Sequence, residues 1–352
     1  MSKNYGMPYM GSKSKIAPQL VDYMVNRHPN KTIFIDACCG GLAITAYLVK
    51  NYPSIRVISN DYSEDLISLY KDSQDKEKWQ KLLDECGYKF IDRETFASIN
   101  KNGTPSQKAL MLMLWSFGNR GATYLYGKDI ECQKELLSNL LIFGENRPSE
   151  YYKKHYKEHI DEIDKINEWF LNECPDDIKR LDYKTQPIKR IKFLNSWKNS
   201  TDTRITQLQQ LERLERLQQL ERLQQLEQLE RLERLELHCG DAIEFIKSLP
   251  KEILDKAIIY FDPPYINTTK YKISDYAFNE QIRQFAIENK DIPIYISEYT
   301  QYDGLGLCYY ETKQPLFNNS KEKKTTKKEI LMYNGCKDKE EALFNLLGAE
   351  YL

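Results

Sequence analysis

Apolar residues along this chain fall into short unbroken runs that stop at a carboxylate or a turn residue. Thr32 to Ala37 (TIFIDA), Ile55 to Ser59, Leu235 to Asp241 (LELHCGD), Ala257 to Tyr265 (AIIYFDPPY) and Ile292 to Tyr299 (IPIYISEY) read as strands. Runs without strict alternation belong to strands covered on both faces. Between them the period changes to that of a helix, with Ile16, Leu20, Tyr23 and Met24 on one face, then Leu42 to Lys50, Tyr62 to Tyr70, Ala242 to Leu249 and Asn279 to Asn289. Strands alternating with helices predict an α/β, doubly wound sheet. Its end differs: Cys308 to Thr312 and Lys328 to Tyr333 read as an antiparallel pair joined by a basic loop.

From about Lys71 to Arg204 this alternation stops and the pattern becomes mostly helical, with Ala109 to Phe117 apolar enough to be buried. Directly after comes FGNRGATYLYGKD, Phe117 to Asp129, a glycine-rich loop that carries Asn119, Arg120, Tyr124, Tyr126 and Lys128. Polar and aromatic side chains on a loop held by a buried helix suit contacts to base edges and stacking. An ordinary loop with its tyrosines turned inward is the plainer reading.

Leucine then recurs at every third position from Leu208 to Leu235, ten times without a break. Leu, Glu, Arg and Gln all favour helix, so the composition predicts a helical segment. A step of three residues turns about 300°, so the leucine row circles the helix instead of forming one face. It is neither a heptad, which alternates steps of three and four, nor a leucine-rich repeat, whose period is about 20–29 residues. The segment reads as a low-complexity spacer helix that changes length in three-residue units, or as a partner surface where its leucines face solvent.

The candidate chemistry sits where the strands end. In Asp262-Pro263-Pro264-Tyr265 a carboxylate leaves the sheet into a stiff turn followed by an aromatic ring. An exocyclic amine on a base is a weak nucleophile, because its lone pair is delocalised into the ring. Asp262 and the carbonyl of Pro263 are suited to accept its two hydrogens, Tyr265 to stack on the ring, and the prolines, Pro264 included, to hold these groups without an ordering cost. Asp36 precedes the tight turn Cys38-Cys39-Gly40-Gly41, the arrangement by which a doubly wound sheet cradles a nucleotide. It is not GxGxxG, so a dinucleotide is not indicated. Asp61, one strand further on, stands where ribose hydroxyls are bound, although Asn-Asp at a strand end also caps helices. Near the start, Tyr9-Met10-Gly11-Ser12-Lys13 opens a helix with free backbone N–H groups and a cation, suited to a carboxylate.

Composition narrows the field. The net charge of −1 over 352 residues excludes a general polyanion binder but not local basic patches. Asp177 to Arg204 holds eight Lys or Arg against three Asp, and Lys321 to Lys328 (KEKKTTKK) holds five Lys against one Glu. The eight cysteines form no CxxC pair, so free thiols are expected, with no disulfide framework and no zinc site. No apolar run is long enough to span a membrane and the start has no apolar leader core, so a cytoplasmic location is expected.

These motifs carry a resemblance. DPPY at the end of its strand resembles motif IV of the amino-methyltransferases that use S-adenosylmethionine, and the order of motifs is similar to that of the Dam-type DNA adenine-N6 methyltransferases. The CCGG turn resembles the family's motif I, with Ala37 and Cys38 in place of its usual Pro and Phe and Leu42 where a third small residue is common. The resemblance implies a Rossmann-like methyltransferase sheet ending in an antiparallel hairpin, built from 1–71 and 235–352, with a target-recognition region at 72–205 and the leucine repeat at 206–236. It implies S-adenosylmethionine as cofactor, contacted by Tyr9, Gly11, Lys13, Asp36, Gly40, Asp61 and Asp262. Asp262, Pro263, Pro264 and Tyr265 become the catalytic residues, and Asn119, Arg120, Tyr124, Tyr126 and Lys128 the DNA contacts. No metal is needed. The partner is double-stranded DNA, with a cognate restriction endonuclease as a further candidate and a prophage or orphan enzyme as the other setting. The rivals are the same domain acting on cytosine N4, an RNA adenine or a protein glutamine, and a lapsed methyltransferase serving as a scaffold. If the leucine repeat is a spacer, deleting two units, Leu220 to Gln225, leaves methylation nearly intact in a single-turnover assay, whereas an inactive but folded variant rules the spacer out.

Overall fold

The computed structural model describes residues 5–7, 9, 11–87, 90–117, 123–128, 131, 154, 172, 235–264, 276–315 and 326–335. The chain divides into two compact units, one of 1–6, 13–67 and 234–352, the other of 7–12 and 68–233. The leucine repeat up to Arg234 lies outside the described residues.

The first unit holds one seven-stranded sheet. Its strands are β1 (Ile33–Asp36), β2 (Arg56–Asp61), β3 (Glu236–Cys239), β4 (Ala257–Phe261), β5 (Ile294–Glu298), β6 (Gly306–Pro315) and β7 (Thr326–Tyr333), in the spatial order β3-β2-β1-β4-β5-β7-β6. β1 to β5 run parallel, while β7 pairs antiparallel with both β5 and β6. The apolar runs seen in the sequence are therefore the central strands: every residue of β1, β4 and β5 is buried. The edge strand β3 is only half-buried, and there Arg56 pairs with Glu236 at 2.5 Å across the surface.

Side-chain alternation divides the sheet into two faces. Ile33, Ile35, Ile259, Phe261, Ile294, Ile296 and Met332 share one core with Ile243 and Ile246 of α7 (Ala242–Ser248) and Ile282 and Phe285 of α9 (Tyr276–Glu288). The opposite face meets α1 (Ala17–Arg27) and α2 (Ala43–Asn51): His28 at the end of α1 bonds the Tyr295 hydroxyl at 2.9 Å, and Thr45 of α2 bonds Ser59 at 2.8 Å. That second face is the polar one. It carries Asp36, Ser59, and the bonded pair Tyr260 and Ser297 at 2.8 Å.

Element ends follow their caps. β2 runs two residues past the expected Ser59, so Asp61 is its last residue, and α3 (Glu64–Ser73) starts later than expected because Ser63 stands at its N-cap. α7 begins at Asp241, whose carboxylate accepts from Ile243 and Glu244 N–H. α8 (Lys251–Leu254) is a single turn before β4. Asn334 closes the sheet after β7: its Oδ1 accepts from Ile294 N–H, and its amide nitrogen lies within 3.1 Å of the carbonyls of Ala286, Asn289 and Ile292.

The second unit, as described, is helical, with α4 (Lys76–Leu82), a π-helical turn (Leu83–Gly87), α5 (Arg93–Asn102) and α6 (Pro105–Leu114). Thr104 and Gln107 form a capping box at α6, and α6 buries Ala109, Leu110, Met111, Met113 and Leu114, as its apolar run predicted. Among the described residues no helix is long and apolar enough to cross a membrane.

Asn334→Ala removes the donor for three helix-end carbonyls and the acceptor for β5, leaving buried polar groups unmatched. We expect it to lower unfolding free energy by about 2–3 kcal/mol in urea titrations, against less than 0.5 kcal/mol for a surface change such as Lys290→Ala.

Candidate active site

The strand order reverses at β1, with β2 and β3 on one side and β4 and β5 on the other. In an open parallel sheet this reversal opens a crevice at the carboxyl ends of the two strands beside it. Here those ends carry the turn after Asp36 and the Asp262-Pro263-Pro264 segment, in strands whose register sets Asp36 beside Tyr260. Two motifs more than 200 residues apart thus meet for topological reasons.

The turn after β1 is tied down from three directions. Cys39 N–H donates to Asn60 O at 2.9 Å, Leu42 N–H to Cys39 O at 2.7 Å, and Gly40 N–H to Asp61 Oδ2 at 2.8 Å. Gly40 takes a φ of 44°, and Leu42 a φ of 58° where a third small residue had been expected. A left-handed leucine costs about 1–2 kcal/mol, which burial of its side chain offsets. Gly6 lies against this turn with a φ of 69°, and a Cβ there would collide with the Gly41 carbonyl oxygen and the Ala43 backbone. Asn60 donates to Ala37 O and Gly240 O, both at 3.1 Å, joining the turn after β1 to the one after β3. Its own Oδ1 is buried without a partner.

At the other strand end, Lys13 Nζ lies 2.7 and 2.6 Å from the two oxygens of Asp262 and 2.9 Å from Glu329 Oε1 on β7. The lysine side chain is 4% exposed, Glu329 10% and Asp262 19%. Burial opposes the charge on Lys13, but Asp262 and Glu329 outweigh it and hold the ammonium protonated above its usual range. Pro263 is buried, and the Pro264 carbonyl accepts from Asn279 Nδ2 of α9 at 3.1 Å. Asn279 is buried, and its Oδ1 has no partner.

Several expected residues therefore stand together in the first unit: Lys13, Asp36, Gly40, Asp61, Asp262, Pro263 and Pro264. Asp36 is buried beneath the turn and accepts from Thr45 Oγ1 at 2.7 Å. Burial, then the nearby charges of Asp262 and Asp61, lift its carboxyl from 3.8 to about 7, against the Thr45 bond that lowers it. Asp61 accepts from Gly40 and Ser63 N–H, so it fixes the turn and begins α3 at once. Its carboxyl is raised by burial, a shift that its backbone N–H bonds oppose. Lys13, expected to face a ligand carboxylate, contacts Asp262 and Glu329. Tyr9 and Gly11 form the turn before it, closed by Ser12 N–H on Tyr9 O at 3.0 Å, and Ser12 Oγ is buried without a partner.

In the second unit the described residues on either side of 118–122 pair with each other. Ser116 bridges Tyr124, with Phe117 N–H on Thr123 O at 2.8 Å and Leu125 N–H on Trp115 O at 2.9 Å. Tyr124 and Tyr126, expected among the DNA contacts, do not present their rings outward. Both are buried, Tyr124 donates its hydroxyl to Ile91 O, and the two rings lie edge to face at 5.8 Å, because this pairing turns them inward. Lys128 is exposed, and so is Phe117. Asn119 and Arg120 lie outside the described residues, as does Tyr265.

Sequence reasoning missed Glu329, Asn279 and Tyr62. Glu329 was a lone carboxylate beside a basic run, and Asn279 an ordinary residue in a helical first turn. Tyr62, directly after Asp61, presents a ring that is 60% exposed.

A family model described as D12 class N6 adenine-specific DNA methyltransferase matches residues 9–302. No curated protein matches the chain.

The raised Asp36 carboxyl has a thermodynamic consequence. The folded protein keeps a proton that the unfolded chain has released between pH 3.8 and about 7, so this contribution to stability is present below that window and lost as pH rises through about 7. Asp36→Asn should remove a fall of at most about 4 kcal/mol from the curve of stability against pH. Taking the difference from wild type excludes His28, which burial and then Arg27 and Lys31 lower to about 4 and whose contribution is lost in the opposite direction, as pH falls. Parallel curves for the two proteins between pH 5 and 8 would show that Asp36 stays ionised.

Proposed function

The chain belongs to the D12 class N6 adenine-specific DNA methyltransferases, enzymes that methylate adenine N6 in DNA, and from that premise we propose how its residues divide the work. Members of this class use S-adenosylmethionine. When bound, the cofactor supplies a methyl group already activated on a cationic sulfonium.

The residues present fit such a group. Asp262 and Glu329 contact the Lys13 ammonium, and Asp36 feels the charges of Asp262 and Asp61, a surplus of carboxylates that suits a cation. A buried polar atom at the end of β2, Asn60 Oδ1, has no hydrogen-bond partner among the described residues. Asp61 would hold the ribose with the carboxylate positions its backbone bonds leave open, the Gly40 turn would form the floor, and Tyr62 would lie against the nucleoside base. Tyr9 and Gly11 would contribute from the turn before Lys13.

The adenine is swung out of the duplex, since its amine is unreachable in the stack. Asp262 and the Pro263 carbonyl accept the two N6 hydrogens, drawing the lone pair out of the ring as the N–CH3 bond forms and the donor's C–S bond breaks. Asp262 is placed to take the proton that the methylated amine releases. Lys13 holds both Asp262 oxygens in fixed positions, and Asn279 holds the turn through Pro264, so little reorganisation remains at the moment of reaction. Tyr265 stacks on the base, and Asn119, Arg120 and Lys128 contact DNA. The observation that carries this reading is the buried Lys13–Asp262 pair at the strand reversal. The enzyme acts at a specific site in duplex DNA, in a restriction-modification, prophage or orphan setting.

The test is methyl transfer from labelled S-adenosylmethionine to unmethylated duplex DNA, with sequencing of the modified positions. Wild type should deposit N6-methyladenine at one short motif, and Asp262→Ala should lose at least about a hundredfold in rate while retaining the cofactor. Equal rates for the two proteins would remove Asp262 from the chemistry.

A further inference from the structure

The family-matched segment ends at residue 302, yet the group of charges around Lys13 is completed by Glu329, on the closing hairpin beyond it. We propose that Glu329 is a positioning residue for methyl transfer, acting on Asp262 through the shared Lys13 ammonium. This rests on Asp262 being the acceptor for the adenine amine.

Geometry supports the division of roles. Of the three charged side chains, Asp262 is the most open and Lys13 the most closed, with Glu329 nearly as closed as the lysine. The reactive carboxylate thus faces outward while the other two stand behind it. Lys13 gives two contacts to Asp262 and another to Glu329. A lysine held from both sides cannot rotate away, so the orientation of Asp262 is fixed by a residue that never touches substrate.

The charge balance points the same way. A one-to-one pair would satisfy the buried ammonium at lower desolvation cost than two carboxylates. The second carboxylate makes the group net negative beside the place where the donor is cationic and where the amine gains positive charge as its new bond forms. It also divides the pull of the ammonium, leaving Asp262 a stronger acceptor. Other groups facing this cluster are Asp36 on β1, Cys38 after it, Tyr260 on β4 and Tyr299 just after β5, with Asp61 beside Asp36 and Cys38, and Glu298 beside Tyr299. Among them Glu329 is the carboxylate in contact with Lys13 besides Asp262.

The experiment compares wild type, Glu329→Gln, Glu329→Asp and the Lys13→Met/Glu329→Gln double variant beside Lys13→Met alone. Glu329→Gln keeps the shape and removes the charge. It should lower kcat about tenfold at an unchanged KM for DNA and move the acid limb of the pH–rate profile to lower pH, because a carboxylate with one negative neighbour fewer is harder to protonate. Glu329→Asp should recover part of kcat, and adding Glu329→Gln to Lys13→Met should cost nothing more. A Glu329→Gln enzyme with wild-type kcat and acid limb overturns the proposal, as does a loss that merely follows the folded fraction in thermal unfolding. If wild type transfers no methyl to adenine, the functional reading fails separately. Carboxyl-carbon NMR of Asp262, identified by its absence in Asp262→Asn, then decides the inference: a downward shift of its titration in Glu329→Gln supports it, and an unmoved titration overturns it.

Discussion

A buried ammonium shared by two carboxylates is the constraint on which the site depends. Lys13 comes from the turn before the first helix, Asp262 from the end of a central strand, and Glu329 from the last antiparallel strand. None is adjacent in sequence, so correct closure of the whole sheet is required before the charge is compensated. Removing one member of such a buried group leaves an unpaired charge, at a cost of about 3–5 kcal/mol. Integrity of the sheet and readiness of the site are therefore one condition.

The polar face of the sheet extends this idea. Thr45 bonds both Asp36 and Ser59, Asp61 holds Gly40, and Tyr260 bonds Ser297, so buried polar groups cross several strands in hydrogen-bonded steps. The other face is occupied by isoleucine, phenylalanine and methionine. One side of the sheet thus supplies cohesion, and the other supplies a rigid electrostatic platform under the strand ends. A fixed arrangement of charges is worth more to a reaction than flexible ones, because it does not have to reorganise.

Much of this was legible in the sequence because its cause is local. Unbroken apolar runs announced β1, β4 and β5, and the stops at Asp36, Asp61 and Asp262 marked the carboxyl ends of neighbouring strands. The residues that escaped notice act over long range. Glu329 acquires meaning only when β7 lies beside β5, and Asn279 only when α9 reaches back to Pro264. The burial of Tyr124 and Tyr126 escaped notice for a related reason. Their loop composition suggested exposure, but the pairing of Ser116 with Tyr124 turns both rings inward.

The placing of β7 between β5 and β6 has a consequence for synthesis on the ribosome. A nascent chain that has emerged only as far as β5 holds four parallel partners in place but leaves β5 an open edge, and Lys13 meets a single carboxylate. β6 emerges next and cannot close that edge, since its neighbour has yet to be made. The chain must wait for its closing strand, the second to arrive of the final pair but the first to dock. Competence is thereby delayed until β7 has emerged, and chains that lack it expose an unpaired, apolar strand edge of the kind that draws chains into aggregates.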